Sequence, residues 1–305
     1  MMTRILSVIL LILFSPLSYA SICNRQPQVA ESISSLVGKK CDEITTSDLN
    51  GLDALDLSHK AISQLQSSDF EGLSNIKILY LHDNPLEKIQ PQTFKHLAQL
   101  EELYMSRTDL TAVESEVFEG LSKLRILILS SNNITIIPAD SFKYLSSLHT
   151  LKLNSNMITE LDKNAFRGLH QLRILDLHDN RVPFFDPQVF ATISQLEELN
   201  IAINKLTQLQ DDLFISFAAL KKLLIFANDI TTISPKAFRG LKQLERLRLN
   251  GNYISSLPAG VFSELAQFTA IDLRINSLSP YQCEQIRKEY PKMEILLDEN
   301  RNIDM

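Results

Sequence analysis

The sequence of 305 residues has no tryptophan, eight glycines and three cysteines. So few glycines argue against a string of domains joined by flexible linkers, which draw on that residue. The cysteines show no metal-binding spacing, and no glycine-rich phosphate loop occurs. After residue 20 no apolar run is long enough to cross a bilayer. Basic residues are not in excess. The formal net charge is −6 and becomes −7 once Arg4 leaves with the leader discussed below, which disfavours nucleic acid or an anionic membrane as partner.

What the sequence has is recurrence. Moving the stretch Leu148 to Gln171 along the chain in steps of 24 residues returns its landmarks. Leu148 recurs as Leu52, Ile76, Leu100, Leu124, Leu172, Leu196, Leu220, Leu244 and Phe268. Phe166 recurs as Phe70, Phe94, Phe118, Phe142, Phe190, Phe214, Phe238 and Phe262, so nine of the fifteen phenylalanines share one phase. A fixed period of this length marks a solenoid. Such an array lengthens by adding turns, so its length does not imply several domains.

Within the unit, Leu148, Leu151, Leu153, Asn156, Ile158 and Leu161 spell LxxLxLxxNxLxxL. The alternation Leu151-x-Leu153 predicts a short strand with one face inward. Asn156 follows where the chain turns away, and a side-chain amide there can serve both the N–H and C=O groups that a buried turn leaves unpaired. The same phase holds Asn84, Asn132, Asn180, Asn204, Asn228, Asn252 and Asn276, which predicts a ladder, weakest at the exceptions Lys60 and Thr108. Phe166 and Leu169 close the far side in a segment short enough for turns.

This pattern resembles the leucine-rich repeat of the 24-residue type over roughly residues 52–279, in about ten copies. The resemblance implies an α/β repeat solenoid. Its form would be a right-handed horseshoe with a parallel β-sheet on the concave face, short turns or 3-10 segments on the convex side, and a helical cap at each end.

Residues 1–20 read as a secretory signal peptide: Arg4, the apolar run Ile5–Phe14, then Ser18-Tyr19-Ala20 with small residues at −3 and −1. The alternative, a membrane anchor, would need a longer run. Residues 21–51 form an N-terminal cap in which Pro27 opens a helix, Val29, Ile33, Leu36 and Val37 share a face, and Gly38 ends it. Cys23 and Cys41 flank that helix and, in an exported protein, read as a disulfide rather than two free thiols. Residues 280–305 form the other cap. Ser279 is its N-cap and Pro280 its first helical residue; Cys283, Ile286 and Tyr290 lie on one face, and Met293–Leu297 add a last strand. Cys283 lies tens of ångströms from the other cysteines by roughly 4.8 Å per turn, and reads as a buried free thiol or an intermolecular half-cystine.

The N-terminal cap looks like the start of exported bacterial leucine-rich repeat proteins. Animal extracellular versions usually carry four cysteines in each flank, against two and one here. Some bacterial relatives are ubiquitin ligases with a separate catalytic domain, for which the two dozen residues after the last repeat leave no room. Asn133-Ile134-Thr135 is a glycosylation sequon, relevant only in a eukaryotic secretory pathway.

Side chains between the inward leucines tile the concave face in two columns. One runs Asp56, Tyr80, Tyr104, Ile128, Lys152, Asp176, Asn200, Leu224, Arg248, Asp272. The other runs Ser58, His82, Ser106, Ser130, Asn154, His178, Ala202, Phe226, Asn250, Arg274. His82-Asp83 and His178-Asp179 invite a metal or acid–base reading, but four repeats separate them by about 19 Å. Ser58 and Ser106 flank His82 without a nucleophile elbow or oxyanion-hole motif. No catalytic, cofactor or metal site is therefore expected, and His82 reads as a surface hydrogen-bonding residue.

Two apolar clusters interrupt the polar face: Ile78, Tyr80, Tyr104, Ile126 and Ile128, and Ala202, Ile203, Leu224, Phe226 and Ala227. Contiguous exposed apolar surface marks an interface, with Tyr80, Tyr104 and Phe226 as anchors and Glu101, Glu102, Arg107, Lys221 and Lys222 as rim. The competing reading is that these side chains cover one another. The sequence thus predicts a non-enzymatic, exported, monomeric scaffold that binds a protein. A cell-envelope glycan held on Tyr80 and Tyr104 is the alternative, and a hydrolase a remote one.

Overall fold

The structure, a computed structural model, describes residues 21–265, 267 and 269–298. The leader at residues 1–20, the repeat position Phe268 and the end of the C-terminal cap lie outside the described residues.

Eleven three-residue strands form one parallel sheet, stacked in chain order from Ala54–Asp56 to Glu294–Leu296. Every pairing in this sheet is offset by 24 residues, so Leu55 faces Leu79, Leu79 faces Leu103, and Leu127 faces Leu151. Alternation sends these central leucines inward, where Leu55, Leu79, Leu103, Leu127, Leu151, Leu175, Leu199 and Leu223 are fully buried. Each such side chain contributes roughly 1.5–3 kcal/mol of transfer free energy. The convex side is built from turns, 3-10 segments such as Ser67–Phe70, Ser115–Phe118 and Pro187–Phe190, and two short strand pairs. Phenylalanines line its inner wall, with ring centroids 5.6 Å apart for Phe70 and Phe94 and 6.4 Å for Phe142 and Phe166. The turns leave no spare room at Gly240, where a Cβ would lie 2.6 Å from the Ile215 carbonyl oxygen.

The asparagines form the expected ladder. Asn156 Nδ2 donates to the carbonyls of Leu153 in its own turn (2.9 Å) and Leu129 in the preceding one (3.0 Å), while Oδ1 accepts the Ile134 amide (3.2 Å). The arrangement repeats at each ladder asparagine from Asn132 to Asn276. Thr108 is a partial substitute. Its single hydroxyl proton can go to either Asn132 Oδ1 (2.9 Å) or Met105 O (3.1 Å), and it has no side-chain carbonyl to accept the amide of Leu86. With Pro85 fixing the preceding φ, that amide bonds Asn84 O two residues back (2.8 Å). Beside this break lies a cleft of about 170 Å³ lined by Ile89, Met105, Leu110, Val113, Val117 and Phe118.

Turning the chain after each strand requires a left-handed residue just before the ladder position, whether that holds asparagine or, as at Lys60 and Thr108, another residue. His59, Asp83, Arg107, Ser131, Ser155, Asp179, Ile203, Ala227, Gly251 and Ile275 all hold φ between 53° and 68°. Asp and Asn tolerate this region, whereas β-branched residues there are strained. Ile203 and Ile275 are therefore held by the fold against their own preference.

Both caps are present. The helix Pro27–Val37 (α1) buries Val29 and Ile33 against the first turn and ends at Gly38 with φ 73°. Leu36, expected on that face, is 52% exposed, while Val37 beside it packs against the core. Cys23 and Cys41 are disulfide-bonded. Two features of this cap went unread in the sequence. Thr45 and Asp48 cap a second short helix, Thr46–Asn50 (α2), reciprocally. Arg25 is buried, donating to the Asp69 (2.7 Å) and Glu71 carbonyls. At the other end, Ser279 caps the helix Pro280–Glu289 (α3), Ile286 is buried, and Glu294–Leu296 adds the last strand. Cys283 is half-buried and free, and burial raises its thiol pKa.

Candidate partner-binding face

On the concave face, 24-residue spacing makes neighbours of residues in adjacent turns, and several polar side chains there pair across turns. Glu197 accepts from both Arg173 (2.5 Å) and Lys221 (2.9 Å), Lys222 donates to Glu198 (2.6 Å), and Ser130 donates to Asn154 Oδ1 (2.6 Å). Lys221 and Lys222, expected as rim charges, are thus engaged within the sheet.

The first apolar cluster is together but not exposed. Ile78, Tyr80, Tyr104, Ile126 and Ile128 are all half-buried. Tyr80 and Tyr104 stack with centroids 4.9 Å apart and an interplanar angle of 19°. Tyr104 OH donates to Glu102 (2.6 Å), and burial, reinforced by that bond to a carboxylate, pushes its pKa up to about 12. Tyr80 also meets His82 edge-on at 6.2 Å. The mutual covering follows from strand spacing, which places large side chains in neighbouring turns in contact.

The second cluster needs a sharper correction. Leu224, expected at the surface, is 8% exposed, flanked in its column by Asn200 and Arg248, and Ala202 is wholly buried. What remains at the surface is half-buried Phe226 beside Ile203, 43% exposed, and Ala227. Ile275, 61% exposed, continues this line beyond Gly251. Its place in the column of left-handed residues was the sequence signal for it, hidden because that column follows the strand rather than lying on it.

The histidines are arranged differently from any triad. His82 Nδ1 lies 3.0 Å from Ser58 Oγ, and Asp56 Oδ1 accepts the Ser58 amide (2.8 Å). Burial raises the Asp56 pKa, but its bonds from Ser58 outweigh that and the net shift is downward. The carboxylate therefore serves the serine, whereas a nucleophilic triad needs it on the second imidazole nitrogen. His178 bonds Asp176 (2.8 Å) rather than its neighbour Asp179. His59, unremarked in the sequence, places Nε2 3.4 Å from Asp83 Oδ2, and its ring meets that of His82 edge-on at 5.3 Å. Arg107 clamps both Asp83 oxygens at 2.6 Å and, through those hydrogen bonds, lowers the Asp83 pKa. Among the described residues no helix is long and apolar enough to cross a membrane.

No curated protein matches the chain. Among solved structures it is similar to one in a TLR13–ssRNA13 complex, at 20% identity and TM-score 0.56 over 82% of this chain. A chain in the octameric complex of Latrophilin 3, Unc5D and FLRT2 is 21% identical with TM-score 0.68, also over 82%. A third, in the Toll–Spatzle complex of Drosophila, is 22% identical with TM-score 0.76 over 84%. The chain spans 47%, 84% and 35% of those three chains respectively, and at such identities the likeness shows the fold. The family pattern described as Leucine rich repeat matches residues 50–110, 74–134, 107–156, 122–182, 171–230 and 218–278. The chain, matched without interruption from residue 50 to residue 278, belongs to the leucine-rich repeat family.

Proposed function

We propose that the chain is an exported bacterial scaffold of the 24-residue repeat type, which captures a protein on its concave face without catalysing a reaction. In this reading residues 1–20 are removed on export, residues 21–51 and 280–305 cap the ends, and residues 52–279 are the repeats. The Cys23–Cys41 disulfide supports an oxidising compartment, and the net charge of −6 argues for a protein rather than nucleic acid as partner.

One observation carries the choice of surface. Ile203 holds a strained left-handed φ of 54° and presents an apolar side chain, 43% exposed, next to Phe226. Strain of this kind costs about 1–3 kcal/mol and persists where the surroundings enforce it, commonly at binding sites. Here folding gains little from the side chain, so its value lies in what it meets from outside. Phe226 and Ile203 are the principal anchors, with the Tyr80–Tyr104 stack a second contact presenting edges and hydroxyls.

The test uses the mature chain as bait with its captured partner quantified. Ile203→Gly relieves the backbone and removes the anchor, so it should stabilise the protein while weakening capture. Phe226→Ala should weaken capture by over 1 kcal/mol, more than about fivefold. Unchanged capture by both, with loss on Lys143→Glu and Arg167→Glu on the convex side, would place the interface elsewhere. Retention on peptidoglycan in place of a protein would replace this reading with the glycan one.

A further inference from the structure

Apart from its partner-binding face, the protein brings together a set of donor atoms near its N-terminal end. We propose that His59, His82 and Asp83 form a binding site for a transition-metal dication of the zinc class. The inference does not rest on the partner-binding reading.

The ligand atoms of the three residues lie within 4.8 Å of one another. His59 Nε2 and Asp83 Oδ2 are 3.4 Å apart. Bonds of roughly 2.0–2.2 Å around a tetrahedral zinc ion put neighbouring ligand atoms about 3.4 Å apart, so this pair already spans one edge. The set arises from the left-handed column: His59 and Asp83, with φ of 57° and 58°, leave successive turns in the same direction. His82, adjacent to Asp83, meets the His59 ring at 89°. The His59 side chain is 68% exposed and free to close the remaining distance.

His82 is also oriented from behind. The Ser58 backbone is held by its amide donating to Asp56 Oδ1 (2.8 Å). Ser58 Oγ lies 3.0 Å from His82 Nδ1, and in the tautomer that carries its proton on Nδ1 the imidazole donates to that oxygen and keeps its Nε2 lone pair for a metal. Ligating imidazoles are commonly fixed by such a bond on their second nitrogen. Two imidazoles and one carboxylate favour zinc, copper or nickel over the all-oxygen shells of calcium and magnesium. The fourth position would go to water or a group from a partner.

Arg107 opposes the cation. Its terminal nitrogen Nη2 occupies Asp83 Oδ2, the oxygen the metal would take, while Nε holds Oδ1. Its side chain is 59% exposed, so Nη2 can withdraw into solvent as the metal arrives. The arginine therefore sets the affinity lower than three ligands alone would give.

Calorimetric titration of the tag-free chain with ZnCl2 tests this, with MgCl2 and CaCl2 as comparisons. One zinc ion should bind per chain, with no heat from the comparison salts. His59→Ala and His82→Ala should each weaken binding at least tenfold, Ser58→Ala roughly tenfold, and Arg107→Ala should strengthen it several-fold. His178→Ala should leave it unchanged. Imidazole nitrogen NMR on the unaltered chain, which requires no variant to fold, should show zinc moving the Nε2 resonances of His59 and His82 together. Absence of zinc uptake by the wild type, or zinc shifts confined to other histidines, would overturn the assignment.

Discussion

Replacing Asn156 with alanine perturbs the ladder where it is most regular, and the hydrogen bonds around it set the size of the effect. Leu129 O, one of the carbonyls that lose Asn156 Nδ2, keeps a bond from Asn132 (3.0 Å), and Leu153 O keeps one from Asn180 (3.0 Å). The Ile134 amide has no such reserve, because Asn156 Oδ1 is its acceptor. Asn154 O, the third acceptor of Asn156 Nδ2 at 3.3 Å, keeps the Ser131 amide. The loss is therefore one fully orphaned buried N–H, about 1–3 kcal/mol, plus three weakened carbonyls at a few tenths each, giving roughly 2–3 kcal/mol in total. The control is Ser155→Ala. Ser155 is half-buried, yet its main tie is a backbone N–H to His178 O that alanine keeps, so the cost should be below about 0.5 kcal/mol. Urea unfolding followed by circular dichroism reads both. Equal midpoint shifts for the two variants would show that the amide is not what satisfies the turn.

Ile203→Gly and Ile275→Gly should each raise stability by about 1 kcal/mol through relief of the left-handed strain, seen as higher urea midpoints. Reducing the Cys23–Cys41 bond should remove roughly 3 kcal/mol for a loop of this size, checked by thermal melts with and without reductant. Hydrogen bonds from Lys39 and Thr45 hold the Asp48 carboxyl at about 2, below its ordinary value. Its contribution is present above the ordinary carboxylate range and lost as pH falls through about 2, and Lys39→Ala should move its NMR titration upward. The Tyr104 phenol should ionise near 12 in an absorbance titration, and Glu102→Gln should bring it down.

The period of 24 made the strands, the ladder and the phenylalanine wall legible, because each depends on residue type repeated at one phase. Exposure within a phase was less so. Leu224 and Ile128 occupy the same column as Lys152, but their accessibility depends on the lengths of side chains one turn away. The His59 contact was missed because the strand pattern ends before it: the left-handed residue belongs to the turn, and only the turn's geometry brings it to Asp83. Arg25 was overlooked for a related reason, since its partners are backbone carbonyls that no side-chain pattern announces.

The missing acceptor at Thr108 bears on how the molecule unfolds. A repeat array behaves as a one-dimensional chain of units, each coupled to its nearest neighbours, and cooperativity lasts only as long as every coupling is strong. Between the second and third repeats the Leu86 amide is satisfied locally instead of across the boundary, and the neighbouring cleft takes packing away from the same junction. The N-terminal repeats are therefore expected to open as a separate unit at this junction, with the disulfide-bonded cap closing their outer end. Native-state hydrogen exchange should show the amides before residue 86 opening together, at lower free energy than those from Leu110 onward. A single uniform opening free energy along the whole array would refute the seam.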